Sequence, residues 1–241
     1  MRIIFFDTET TGNTENDRLC QLGVKDRGVA APVVNELYKP PLPITFEAMA
    51  VHHITEKMVA DKPAFAESPG YGAIKEFFES EDTICVAHNI AFDAAVLQRE
   101  GIVPRNMLCT LKVARALDEA GIFSNYKLQY LRYRLGIEID DATAHDAWGD
   151  VLVLEQLFER LFAKYLANAG GDEATALAAM QEITRLPSLL KTITFGKHAG
   201  KKVTDVAKED ASYLKWLLNE KQKAPQGEED WIYTLEQALR V

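Results

Sequence analysis

The chain has 241 residues, enough for one medium domain and a smaller piece. With 47% apolar and 26% charged residues it reads as an ordinary soluble globular protein, and no apolar run reaches the length of a membrane span. A formal net charge of −9 argues against a uniformly basic nucleic-acid binder, but not against a metal-dependent site, which needs acids of its own.

The first segment, RIIFF (2–6), reads as a buried strand. It is entered without a basic-then-apolar leader, so no signal peptide is expected. LCQLGVK (19–25) and PVVNELY (32–38) are further strands, with DRG (26–28) as the turn between them, which predicts an antiparallel meander. PPLP (40–43) marks an irregular stretch. A helix over 71–79 precedes a short strand TICVA (83–87), a helix over 91–99, a strand MLCT (107–110) and helices over 111–119 and 128–135. Ala147, Val151, Leu154, Leu157, Phe158, Leu161 and Phe162 then form one apolar stripe at helical spacing. Strands first and strand–helix alternation afterwards predict an α/β domain with a mixed sheet. NAGGDEATA (168–176) reads as a linker or hinge, followed by a helix to about residue 185. A second unit begins near TITFGKHAGKK (192–202); at about 50 residues it is small for a core of its own and is expected to dock on the main domain, with YLKWLL (213–218) as the docking helix. The predicted division is 1–168, a linker and helix over 169–188, and a small unit over 189–241. Cys20, Cys85 and Cys109 are odd in number and lie in apolar contexts, which favours reduced core thiols and a cytoplasmic location.

Three short stretches carry chemistry. In IIFFDTETTG (3–12), strand alternation puts Asp7 and Glu9 on one face, roughly 7 Å apart. Two such charges raise each other's pKa unless a cation lies between them. In VAHNIAFDAAVL (86–97), a strand ends, the chain turns through His88 and Asn89, and Asp93 falls in the first turns of a helix. In HDAWGDVLVL (145–154), His145 sits in the loop and Asp150 opens the long helix. Each has a plainer reading, as a solvent-facing acid, a cap or a charge on a helix dipole.

Taken together, DTETTG, HNIAFD and HDAWGD resemble the three motifs of the DEDD 3′–5′ exonuclease superfamily, and the H-x4-D spacing of the third points to its histidine branch. That resemblance covers roughly residues 1–165. It implies a ribonuclease H-like fold, a mixed central sheet flanked by helices. It also implies that Asp7, Glu9, Asp93 and Asp150 are the metal-binding acids and His145 the general base. AMAVHHITEKMVADKP (48–63) and the segment 185–219 are similar to the bacterial exodeoxyribonuclease X family, which extends the likeness over nearly the whole chain. The epsilon proofreading subunit of DNA polymerase III shares the motifs but is not expected to carry this tail.

The implied activity is metal-dependent hydrolysis of DNA from 3′ ends to nucleoside 5′-monophosphates, in repair or end processing. Two ions, Mg²⁺ or Mn²⁺, suit an all-oxygen ligand set. Asp7 is expected to bridge them, with Glu9 and Asp150 on the side of the attacking water and Asp93 on the other. His145, the implied general base, would take the water's proton. The alternatives are an RNA or oligonucleotide exonuclease of the same fold and a polymerase-associated proofreading subunit. The expected partner is DNA, single- or double-stranded, and no membrane. Oligomeric state is left open.

Substrate contacts are expected from the backbone around Thr10 and Thr11, from a histidine of the loop holding His52 and His53, and from ordering hydrogen bonds by His88 and Asn89. Asp146 is expected to play a supporting or solvent-facing part, and Trp148 to pack. Lys191, Lys197, Lys201 and Lys202, with His198, form an acid-free run, the most obvious place to hold phosphates.

Overall fold

A computed structural model describes residues 1–139 and 144–240. Five strands form one sheet: β1 (Arg2–Thr10), β2 (Leu19–Asp26), β3 (Val34–Leu37), β4 (Thr83–Ala87) and β5 (Asn106–Cys109), in the order β3-β2-β1-β4-β5. β1, β2 and β3 pair antiparallel, as the predicted meander requires, while β4 and β5 extend the sheet in parallel with β1. Helices α1 (Phe46–His52), α2 (Glu56–Val59), α3 (Tyr71–Glu79) and α4 (Ile90–Arg99) belong to the first half. They are followed by α5 (Thr110–Leu117), α6 (Leu128–Arg134), α7 (Ala147–Asn168) and α8 (Glu173–Arg185).

Alternation along β1 divides the core. Ile3 and Phe5 face α5 to α8, where Val151, Leu154, Leu157, Phe158 and Leu161 form the stripe seen in the sequence. Ile4 and Phe6 face the other layer, with Ile74 and Phe78 of α3 and Val96 and Leu97 of α4. Phe5 meets Phe158 edge-on at 5.2 Å, and Phe6 meets Phe78 at 4.9 Å. Each fully buried ring of this kind contributes roughly 1.5–3 kcal/mol.

Several expectations change in detail. β1 runs on to Thr10 because β2 continues to pair with it, Thr10 lying opposite Leu19. The loop read around His52 and His53 begins inside α1, whose N-cap Thr45 accepts from the Ala48 amide at 3.2 Å. The helix after NAGGDEATA is not part of a linker. α8 buries Ala176, Leu177 and Met180 in the main core, and its Thr184 hydroxyl accepts from the Cys109 amide at 2.9 Å.

The C-terminal unit contains α9 (Val203–Glu209), α10 (Ala211–Lys223) and α11 (Glu229–Ala238). It has a small core of its own, in which Leu214 and Leu217 of the predicted docking helix pack with Ile193, Val203, Val206 and Leu235. α10 therefore serves the unit's own interior. Attachment to the main domain runs through α11, where Asp230 pairs with Arg115 at 2.8 Å and accepts from the Ser188 amide at 2.7 Å. Among the described residues, no helix is long and apolar enough to cross a membrane.

Candidate active site

The site arises because β1 outruns its parallel neighbour. Pairing with β4 ends at Phe5 opposite Val86, and the chain after β4 turns away into α4. The edge of β1 beyond that point needs another partner. Asp93 supplies it: its Oδ1 accepts from the Thr8 amide at 3.1 Å and from the Thr8 hydroxyl at 2.7 Å. The residue is 3% exposed.

On the other face of β1, Asp7 and Glu9 continue the row of Ile3 and Phe5 toward α7. The start of α7 comes very close to β2 at Gly23, the residue opposite Asp7. A Cβ there would lie 2.8 Å from the Ala147 carbonyl, so only glycine permits the approach. Gln21, opposite Glu9, then clamps the helix end: its Nε2 donates to Asp146 Oδ1 at 2.8 Å, and its Oε1 accepts from the Ala147 amide at 3.1 Å. Asp146 caps the helix by accepting from the Gly149 amide at 3.2 Å, the supporting part expected of it. One turn on, Asp150 is fixed by a hydrogen bond from the Gln129 side chain. Neither glutamine was singled out in the sequence, because the contacts that give them their roles join residues far apart in the chain.

Asp7, Glu9 and Asp150 each bring a carboxylate oxygen within 4.8 Å of the others. Burial comes first in raising the pKa of Asp7 well above the carboxylate range, followed by repulsion from Asp93, Glu9 and Asp150. Glu9 is pushed up to about 8, by burial first and then by Asp150 and Asp93. Asp93 rises to about 7 through burial, opposed by its bonds from Thr8. Asp150 is raised by burial, with His145 and Gln129 acting against the rise. Asp93 lies outside the close triad yet within its field. Four acids held together at this cost suit divalent cations, and an all-oxygen donor set suits the hard ones.

His145 stands at the rim, exposed, in a left-handed backbone conformation (φ 60°), and its backbone hydrogen-bonds Asp150. The other non-glycine residues with positive φ, among those described, are His53 and Asn89. All three end or precede helices at the site, a concentration of backbone strain usual in functional regions.

A cleft of about 480 Å³ adjoins Glu9, walled by Thr8, Thr10, Thr45 and Val51 and by Phe92 of α4. A larger recess of about 730 Å³ lies at the other end of β1, beside Arg2 and Glu173, and holds none of the four acids.

The remaining expected contacts divide. Thr10 lines the cleft. Thr11 does not: it is fully buried, its hydroxyl donating to Asp17 at 2.6 Å and accepting from the Arg18 amide at 3.0 Å. His52 is spent on the fold. Its Nδ1 accepts from the Ile54 amide at 3.0 Å, so Nε2 carries the proton and donates to the Thr10 carbonyl at 3.1 Å. Burial lowers its pKa. His53 and Asn89 are exposed and keep their side chains available. His88 is engaged at both nitrogens, by the Thr110 hydroxyl at 2.9 Å and the Tyr126 carbonyl at 2.6 Å, and burial holds its pKa down to about 4. It ties the 118–127 segment to the sheet and has no ring nitrogen left for substrate. Trp148 packs against the core, as expected.

The lysine run is acid-free only in sequence. Lys197 pairs with Asp210 and Lys201 with Glu209, each at 2.6 Å, while Lys202 is exposed. The acids come from the junction of the two following helices, and they neutralise much of the expected phosphate-binding charge.

Residues 4–158 match the sequence model of the family described as "Exonuclease", and residues 193–222 that described as "Exodeoxyribonuclease X-like C-terminal". Exodeoxyribonuclease 10 of Escherichia coli K12 is 37% identical over 91% of this chain and 90% of its own length. The DNA polymerase III subunit epsilon of the same organism is 27% identical over 73% of this chain and 75% of its own. A solved structure of exonuclease X in complex with 5′ overhanging duplex DNA superposes with a TM-score of 0.57 at 28% identity, covering 76% of this chain and 99% of that one. The expected ribonuclease H-like architecture, a mixed sheet flanked by helices, is the fold these proteins share.

Proposed function

The chain belongs to the exonuclease family, and from that premise we propose that it is a metal-dependent 3′–5′ exonuclease acting on DNA, in repair or end processing. The observation that carries the proposal is the gathering of Asp7, Glu9 and Asp150 around one point, with Asp93 beside them and His145 at the rim. DNA as substrate is supported by the names of the relatives, an exodeoxyribonuclease and an exonuclease seen with duplex DNA. Residues 1–185 would form the catalytic unit and 189–240 an accessory one, since each has its own core.

The residues divide the work. Asp7, Glu9, Asp93 and Asp150 would hold two divalent ions, Mg²⁺ or Mn²⁺, which when bound supply the positive charge that offsets the acids and the charge growing on the phosphoryl oxygens. Thr10, His53 and Asn89 border the place of the 3′-terminal nucleotide. Asp93 keeps the β1 edge in register with α4, and Gln21 and Gln129 keep Asp150 aimed at Asp7. His145, exposed and held against Asp150 by its backbone, takes a proton from the attacking water. The new O–P bond forms as the bond from phosphorus to the preceding 3′-oxygen breaks. That oxygen leaves and takes a proton from solvent water to become the new 3′-hydroxyl, and the terminal residue leaves as a nucleoside 5′-monophosphate.

The test is degradation of end-labelled single-stranded DNA, duplex DNA and RNA side by side with Mg²⁺, with Asp7→Ala as the inactive control. Mononucleotides should appear from DNA 3′ ends and disappear in EDTA. Shortening from the 5′ end, undiminished activity in EDTA, or a preference for RNA would each overturn part of the proposal.

A further inference from the structure

We propose that the groove between residues 123–127 and 189–194 carries the DNA strand on the 5′ side of the scissile phosphate, held by Lys127 and Lys191. The inference rests on the exonuclease reading above. A 3′–5′ exonuclease seats the terminal nucleotide beyond the acids and must support the rest of the strand as it leaves them. The cleft beside Glu9 is walled by α1 and α4, which leaves the α6 side for that continuation.

The groove begins there. Gln129, which reaches Asp150, lies two residues after Lys127, and the Tyr126 carbonyl is tied to His88 just ahead of α4. Its far wall is the start of the C-terminal unit, Leu189 to Thr194, and its volume is about 290 Å³. The lining combines Phe123 and Tyr126 with Ser124, Asn125 and Thr192, and it contains no carboxylate residue. In a chain of net charge −9, a channel lined by cations and no acid is a place to which phosphates are drawn.

The cations of the groove differ in freedom. Arg115 is committed to Asp230, fastening the two units together. Among the described residues, neither Lys127 nor Lys191 forms an ion pair, in contrast to Lys197 and Lys201. The Lys191 stem packs over Gly121, where a Cβ would lie 2.8 Å from the Lys191 Cβ and the left-handed backbone (φ 64°) also favours glycine. The lysine is thereby positioned along the groove wall. Aromatic rings between cationic side chains are the pattern by which single strands are held without regard to sequence.

The experiment compares Lys127→Ala/Lys191→Ala with wild type on a single-stranded dodecathymidylate and on the p-nitrophenyl ester of thymidine 5′-monophosphate, with Mg²⁺, across salt concentrations. Loss of two phosphate contacts should flatten the slope of log kcat/KM against log salt for the oligomer by about 1.4, from roughly 0.7 per contact on a single strand. The oligomer's KM should rise while ester turnover stays unchanged, and Lys127→Arg/Lys191→Arg should restore both KM and slope. An unchanged slope, an equal loss on both substrates, or the same flattening from Lys197→Ala/Lys201→Ala would overturn the assignment. Failure of the wild-type enzyme on both substrates would instead overturn the exonuclease reading, and this inference with it.

Discussion

Replacing Glu9 with glutamine should stabilise the metal-free protein, and increasingly so as pH rises. Glu9 titrates at about 8 in the folded protein against an ordinary value of 4.5, so the folded state holds its proton more tightly. The stability this proton confers is complete below 4.5 and is lost as pH rises through 8. At about 1.4 kcal/mol per unit, the buried carboxyl costs about 1 kcal/mol at pH 5.5 and about 4 kcal/mol at pH 8. A glutamine in its place has no such cost, so the variant's advantage should grow by about 3 kcal/mol over that range. For a chain of this size that is roughly 6–12 °C in melting temperature. His88 works the other way in both proteins. It is held neutral to about 4 when folded but takes a proton below 6.5 when unfolded, so it destabilises the fold as pH falls. The wild-type curve is therefore a sum over His88 and the four acids, and the difference between wild type and variant reports Glu9 together with the relief its removal gives Asp7. The assay is thermal melting followed by circular dichroism in EDTA at pH 5.5, 6.5 and 8.0, repeated with Mg²⁺. Added Mg²⁺ should raise the wild-type melting temperature most at pH 8 and the variant's much less. A variant advantage that is the same at every pH, or absent, would refute the account of a charge cluster awaiting a cation.

His145→Ala should lower kcat by ~10²–10⁴-fold and flatten the rising limb of the pH–rate profile, while Mn²⁺ binding measured by calorimetry is retained. Loss of Mn²⁺ binding in that variant would show that the histidine is a ligand and not the base. Gly23→Ala should cost roughly 1–3 kcal/mol of stability, because its methyl would meet the Ala147 carbonyl at 2.8 Å, and should reduce activity further by displacing the start of α7 and with it Asp150. Wild-type melting and turnover in that variant would show that the close approach at Gly23 does not position the acid.

Local patterns carried much of this architecture. The alternation that places Asp7 and Glu9 on one face and the stripe from Ala147 to Phe162 are periodic signals, and both survive in the fold. Short elements were harder. α1 and α2 are seven and four residues long, too brief for a period to show. What was not legible is what depends on partners distant in the chain. His52 and His88 read as substrate contacts until Ile54, Thr10, Thr110 and Tyr126 are seen to claim their nitrogens. Gln21 and Gln129 carry no signal of their own until Asp146 and Asp150 are placed beside them. Lys197 and Lys201 read as free until the backbone brings Asp210 and Glu209 back onto them.

The dual use of Asp93 bears on how an inactive protein for trapping DNA should be made. Its carboxylate closes the projecting end of β1, so removing it would leave the buried Thr8 amide without its acceptor. An unsatisfied buried amide costs about 1–3 kcal/mol, so a bait protein built on Asp93→Ala would be a destabilised one. Asp7 makes no such closure. Asp7→Asn would silence the chemistry, keep the sheet sealed, and remove one of the charges that repel a bound phosphate, making it the cleaner reagent for isolating the complex.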